Sequence, residues 1–345
     1  MSYSQIGFSS ALVVVLLLLV CFSQEAKCVL NKKKLLASFP TLYVHPLGLL
    51  GRANFSSIQA AIDHVPSNNR YWIRIYVHAG IYREKIVIPA DKPYIYIQGE
   101  GKWKTRVIWG DYGSIMNTAT LTSLADNTVI KSMTFTNSYN YPPERNLNPI
   151  VPALAGMIMG DKTAFYRCAF LGMQDTLWDE QGRHYFKLCT IQGAVDFIFG
   201  SGQSIYERCS IMVAAWPLHG VPGYIAAQGR DHPNETNGFI FKDCNIFGTG
   251  KTYLGRPWRP YSRVIFYNTS MADIVVPEGW NAWNSKGKEH QLTFAEHECR
   301  GPGANKAGRV KWENNFSVGM VQKWTDMTYI DSDGWISNQL FNMLD

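Results

Sequence analysis

Ala164-Phe165-Tyr166-Arg167-Cys168-Ala169-Phe170 is a phrase that the chain goes on to repeat. It returns as Tyr185-Phe186-Lys187-Leu188-Cys189-Thr190-Ile191, as Ile205-Tyr206-Glu207-Arg208-Cys209-Ser210-Ile211 and as Ile240-Phe241-Lys242-Asp243-Cys244-Asn245-Ile246. The cysteines fall at intervals of 21, 20 and 35 residues. One apolar, β-prone phrase per twenty or so residues is what a solenoid requires, each coil burying its apolar side on the next. The longer interval reads as a coil with a loop inserted. No ten-residue helical pattern intervenes, which argues against alternating βα units. The expected fold is all-β, a right-handed parallel β-helix with its cysteines stacked as a ladder. The competing architectures, a β-sandwich or a β-propeller, usually repeat as hairpins with two-residue turns. Such turn dipeptides are scarce between these phrases.

Working outward, the β-rich pattern extends toward the N-terminus through residues 72–77, 94–98, 106–109 and 128–130, punctuated by Gly, Asn, Asp or Pro. Ahead of it, residues 56–65 predict a short helix. Serine can cap it, Ile58, Ala61, Ile62 and Val65 share a face, and Pro66 follows its end. Residues 11–22 form an apolar run of 12, too short to span a bilayer comfortably and followed by small and polar residues. Residues 1–24 therefore read as a secretory signal. The opening MSYSQIG has no Lys or Arg, which leaves a short membrane anchor as the competing reading. Residues 25–50, with Asn31-Lys32-Lys33-Lys34, read as a basic leader, and 51–345 as a single β-helix domain with a C-terminal tail.

Secretion gives meaning to other features. Sequons at Asn54, Asn234, Asn268 and Asn315 are glycan acceptors on an exported chain. Of seven cysteines, Cys21 lies in the signal; none of the others has zinc-like spacing, so no metal is expected. The ladder cysteines act either as small buried hydrophobes or partly as disulfides, with Cys209 and Cys244 the first pair to test. A net charge of +6 suits a polyanionic extracellular partner better than nucleic acid, and equally suits a merely solvated basic surface.

The chemistry centres on Gly193-Ala194-Val195-Asp196-Phe197-Ile198-Phe199-Gly200, which sets a carboxylate in an apolar run. Such an acid is costly unless an ionic or hydrogen-bonding partner holds it. Asp175, in Gln174-Asp175-Thr176-Leu177, precedes Asp196 by 21 residues, the spacing of Cys168 and Cys189. Two acids in equivalent positions of successive coils would stand about 5 Å apart. At that distance they cannot ionise independently, so one holds a proton while the other stays charged. Arg256 can pair with Asp196, and Gln174 can donate to a developing oxyanion. A structural Asp–Arg bridge across coils is the bland alternative. Tyr139, Tyr141, Trp178, Phe199, Trp216, Trp258, Trp280 and Trp283 could line a sugar-binding groove or belong to the core. No Gly-x-Ser-x-Gly elbow, complete P-loop or HExxH motif is present.

Taken in order, Gly80-Ile81-Tyr82-Arg83-Glu84, Met173-Gln174-Asp175-Thr176-Leu177, Asp196-Phe197-Ile198-Phe199-Gly200, Ala227-Gln228-Gly229-Arg230, Leu254-Gly255-Arg256-Pro257-Trp258 and the run from Pro277 to Trp283 resemble the motifs of plant pectin methylesterases. The likeness extends from about Phe55 to Trp312. It implies a right-handed parallel β-helix that hydrolyses methyl esters of cell-wall pectin without a cofactor. It implies Asp196 as nucleophile, Asp175 as general acid then base, Arg256 as the group that orients and ionises Asp196, and Trp258 and Trp280 as groove residues with Trp178 and Phe199 beside them. The implied partner is methyl-esterified homogalacturonan, with a proteinaceous inhibitor as a further one; the expected protein is a secreted, cell-wall monomer, free of membrane and nucleic acid.

One departure stands out. Where the family has a second oxyanion glutamine, this chain has Pro152, which offers no side-chain donor and no N–H. The neighbouring Leu and Arg positions are Gly156 and Met157. Losing an oxyanion donor can cost roughly 100- to 1000-fold in turnover, so a non-catalytic or weakly active pectin-binding protein is the alternative reading. Two acids about 5 Å apart also suit a retaining glycosidase; a pectate lyase would need a calcium-binding acid cluster.

Overall fold

The computed structural model describes residues 39–48 and 53–339; the expected signal, Cys28 and the larger part of the basic leader, with its lysines, lie outside them. Each full coil contributes one short strand to each of three sheets, as in Thr163–Tyr166, Ala169–Leu171 and Leu177–Asp179, followed by Arg183–Lys187, Thr190–Gly193 and Ile198–Gly200. Among the described residues the sheets hold ten, eight and seven strands, every neighbour parallel, and the whole is a right-handed parallel β-helix. The sequence register carries over directly: Phe165 pairs with Phe186, and Phe186 with Tyr206.

Inward residues stack in files along the axis. Phe165, Phe186, Tyr206, Phe241 and Phe266 form a ladder of rings with successive centroids 5.0, 4.6, 4.7 and 4.5 Å apart. Each fully buried ring contributes about 1.5–3 kcal/mol of transfer free energy, so identical coils reinforce one another. Cys168, Cys189, Cys209 and Cys244 form the expected second file, buried as free thiols that donate to backbone carbonyls of the neighbouring coil. Cys209 and Cys244 are therefore not a disulfide. The file skips one coil, where Thr269 takes the place of cysteine and accepts from Cys244 N, and resumes at Cys299. The interval of 35 arises from two insertions, at 215–222 and 231–237.

From Ser132 onward, each coil turns between the ten- and eight-stranded sheets through one residue in the left-handed region. Ser132, Arg167, Leu188, Arg208, Asp243, Asn268 and Glu298 hold φ between +46° and +59°. Asn268 is thus a corner residue, its amide donating to Asp243 Oδ1 at 2.5 Å, whereas Asn54, Asn234 and Asn315 are exposed.

The N-terminal end and one outer face are covered by helices. Ile58–His64 caps the first coil; Ser57 accepts from Ala60 N, the Glu84 carboxylate accepts from Ile58 and Gln59 N–H, and Ile58, Ala61 and Ile62 are buried. These contacts satisfy donors that a helix N-terminus otherwise leaves open. Short helices Val318–Thr325, Thr328–Asp331 and Trp335–Asn338 bury Val321, Ile330, Trp335 and Ile336 against the outside of the ten-stranded sheet. The outer face of the seven-stranded sheet carries a small apolar cluster of its own, built on Leu154, Met157, Trp178 and Phe199. The candidate site opens there.

Candidate active site

Two successive coils turn from the eight- into the seven-stranded sheet through the same short pattern, Gly172-Met173-Gln174-Asp175 and Gly193-Ala194-Val195-Asp196. The glycines make the turns tight: a Cβ on Gly193 would stand 2.1 Å from Phe197 Cβ, and one on Gly172 2.9 Å from Thr176 Oγ1. Gln174 and Val195 form a parallel bridge, and Asp175 N donates to Val195 O at 3.0 Å. Asp175 and Asp196 therefore occupy equivalent positions one coil apart, both left-handed with φ of +56° and +47°. Asp tolerates this region better than most residues, and strained backbone of this kind clusters at functional sites.

Arg256 arrives from the strand Thr252–Pro257. Its Nε and Nη2 donate to the two Asp196 carboxylate oxygens at 2.8 and 2.5 Å. The guanidinium lies between two rings, 4.0 Å from the centroid of Tyr224 and 4.0 Å from that of Trp283. A bidentate, sandwiched arginine is fixed in orientation as well as charge. Sequence reasoning missed Tyr224 and gave Trp283 no special role; Tyr224 stacks in turn on Tyr253 at 5.2 Å.

The acids, Gln174, Arg256, Phe199, Trp258 and Trp283 line a pocket of about 290 Å³, with Ile115 on its rim. Phe199 is stacked on Trp178 at 5.5 Å and meets Trp258 edge-on at 5.8 Å. Trp280 does not belong to this group. It is 1% exposed, inside the β-helix between Phe266 and Phe294, so the expectation of a groove tryptophan is corrected to Trp283. Pro152 bridges Gln174 from the preceding coil, with Ala153 N donating to Gln174 O at 3.2 Å. The proline thus stands in line with Gln174, one coil earlier.

Burial drives the Asp175 pKa up to about 7, the neighbouring Asp196 charge adds to the rise, and Arg256 opposes it. Burial also raises Asp196, but there the two hydrogen bonds and the charge of Arg256 restrain the increase. The pair is split: Asp196 ionises first, and Asp175 keeps its proton to near neutrality. One carboxylate available to attack and one acid available to donate share a pocket with an amide and aromatic walls. Gln228 and Arg230 serve structure instead. Gln228 Oε1 accepts from Arg230 and Arg263 N–H, and Arg230 donates to the carbonyls of Pro233, Glu235 and Tyr261. No cluster of three or more His, Cys, Asp or Glu suited to a metal occurs among the described residues.

Residues 48–333 match the family model described as Pectinesterase. Among curated relatives, "Probable pectinesterase 29" of Arabidopsis thaliana is 57% identical over 84% of this chain and 87% of its own length. "Pectinesterase QRT1" of the same plant is 37% identical over 83% and 77%. Among solved structures, the pectin methylesterase from carrot superposes with a TM-score of 0.79 at 27% identity, covering 87% of this chain and 96% of the carrot one. That from Aspergillus niger gives 0.73 at 26% identity, over 86% and 95%.

Proposed function

Because this chain belongs to the pectinesterase family and is a carboxylic ester hydrolase, we propose that its two stacked aspartates divide the hydrolysis of pectin methyl esters between them. Asp196 attacks the ester carbonyl, and the Gln174 amide donates to the oxyanion that forms. Asp175 gives its proton to the departing methoxy group, methanol leaves, and an anhydride joins the galacturonosyl carbonyl to Asp196. Asp175, now a carboxylate, takes a proton from water, whose oxygen attacks the substrate carbonyl of the anhydride. The anhydride bond breaks, Asp196 is regenerated, and the free carboxylic acid departs. The sum is ester plus water to acid plus methanol. Arg256 keeps Asp196 anionic and aimed, while Phe199, Trp258 and Trp283 offer faces to the sugar.

The observation that carries this reading is the asymmetry of the pair: Asp196 holds Arg256 at 2.8 and 2.5 Å, while Asp175 is raised to about 7 beside it. The test is methanol release from methyl-esterified pectin, scored beside new reducing ends. Methanol without chain cleavage, abolished in Asp196→Ala and Asp175→Ala, is the expected result. New reducing ends with ester content untouched would mean a glycosidase.

Pro152 favours a second reading, pectin binding with little or no turnover, because the coil beside Gln174 supplies no side-chain donor at that point. Binding without methanol, unaltered by Asp196→Asn, would establish it. The proposal places the protein outside the cell, in the plant wall, as a monomer acting on methyl-esterified homogalacturonan. The basic sequence (net +6) suits that acidic polymer. A proteinaceous pectinesterase inhibitor is the further proposed partner, and Asn54, Asn234 and Asn315 are the accessible sequons for glycans.

A further inference from the structure

The outward face of the seven-stranded sheet beside the acid pair carries two files of side chains. Met157, Trp178, Phe199, Ala227 and Arg256 are in register across adjacent strands. Two residues further along each strand, the same face presents Met159, Glu180, Ser201, Gly229 and Trp258. Ladder hydrogen bonds continue there, with Glu180 N donating to Ile158 O at 2.9 Å and Ser201 N to Glu180 O at 3.0 Å. Glu180 is thus a carboxylate set into the floor of the groove. It is only partly exposed, and its Oε2 accepts from the Trp178 indole Nε1 at 2.5 Å.

Its surroundings are mostly apolar: Met157, Met159 and Leu124 join Trp178 and Phe199 in one cluster. Glu180 makes no ion pair among the described residues. Arg256 is committed to Asp196, and Arg259 stands at the exposed margin, 5.2 Å over the Trp258 ring, acting on Glu180 only at range. A groove meant to hold a run of free galacturonate carboxylates would place cations here. This one places a negative charge among methyl and aromatic groups.

We propose that Glu180, with Met157, Met159 and Trp178, forms a subsite that accepts a methyl-esterified galacturonosyl unit and rejects one whose carboxylate is free. The inference rests on the reading of the groove as a pectin site and adds its specificity. An esterified unit presents a neutral, methyl-bearing edge to the apolar floor. A free one brings a second negative charge to within a few ångströms of Glu180 in a partly desolvated place, which weakens it by about tenfold or more. The protein then works within densely esterified stretches and disengages where its own product accumulates.

The test uses the full mature chain and Glu180→Gln, which keeps an acceptor for Trp178. Burial raises the Glu180 pKa, so the assay is run on the alkaline side of neutral. Initial rates of methanol release are compared on densely and sparsely esterified pectin, with polygalacturonate as competing probe. Glu180→Gln should leave kcat/KM on dense pectin within about twofold, raise it about tenfold on sparse pectin, and tighten inhibition by polygalacturonate to match. Equal ratios of dense to sparse activity in the two proteins would overturn the proposal. Should the wild type release no methanol, the hydrolytic reading fails on its own. Relative binding of fully esterified pectin and polygalacturonate to the two proteins then still decides the role of Glu180.

Discussion

Replacing Arg256 by Gln tests the division of labour between the aspartates. The side chains of the Arg256–Asp196 pair are only 17% and 11% exposed. Removing one member of such a pair costs about 3–5 kcal/mol if the other stays charged. Asp196 can escape much of that cost by taking up a proton, so the variant should be far less destabilised in acid than above neutrality. The catalytic consequence follows from the same release. Two charge-assisted hydrogen bonds, each contributing about 1.5–3 kcal/mol, no longer favour the anion, and about 1.4 kcal/mol corresponds to one pH unit. With part of that recovered by water and Gln, the acid limb of kcat/KM should move upward by about one to two pH units. At acid pH the variant loses activity steeply; toward alkaline pH some of it returns. Arg256→Lys, which keeps a charge but neither the bidentate contact nor the ring sandwich, should lie between. The measurement is methanol release across the pH range, with urea unfolding at the same points. An acid limb left where the wild type has it would refute the claim that Arg256 holds Asp196 ionised.

Other outcomes follow from the same geometry. Asp175 has a folded-state pKa of about 7 against an ordinary value of 3.8, so the folded state binds more protons than the unfolded one between these limits. Stability should therefore be greatest in acid and fall, by up to about 4 kcal/mol from this group, as pH rises to 7. Asp175→Asn should remove that slope in urea titrations, and an unchanged slope would contradict the assignment. Pro152→Gln should raise kcat toward the roughly 100-fold that one oxyanion donor can supply, with little change in KM; an unaltered kcat would show the pocket already satisfied. Trp280→Ala should cost about 3–5 kcal/mol in unfolding experiments as a core truncation. Trp283→Ala should instead weaken pectin binding and raise the acid limb while leaving most of the stability intact. Reducing agent should leave the melting temperature unchanged, since the ladder thiols are free; a clear drop would reveal a disulfide.

The coiled architecture was legible because its signal is redundant. Each phrase around Cys168, Cys189, Cys209 and Cys244 repeats the same inward positions, so one count fixed the register of many strands, and with it the stacking of Gln174 on Val195. The acid pair was readable for the same reason. Trp280 was not, because it and Trp283 are chemically alike and three residues apart. What separates them is non-local: Trp280 bridges Gly255 one coil earlier, and its ring enters the core between Phe266 and Phe294. Tyr224 was missed because it lies just beyond an insertion, where the periodic count lapses. Asn268 carries a sequon, yet its place at a left-handed corner, bound to Asp243, emerges only once coils are stacked. The thiol state of Cys209 and Cys244 was undetermined because spacing gives proximity, not bonding.

The most direct measurement is a carboxyl NMR titration that follows Asp175 and Asp196 individually in the intact protein. Asp196 should titrate at the lower pH and Asp175 near 7, and Asp196→Asn should bring the Asp175 midpoint down by removing the adjacent charge. Two independent midpoints near 4, or an Asp175 midpoint indifferent to Asp196→Asn, would contradict the account at its centre.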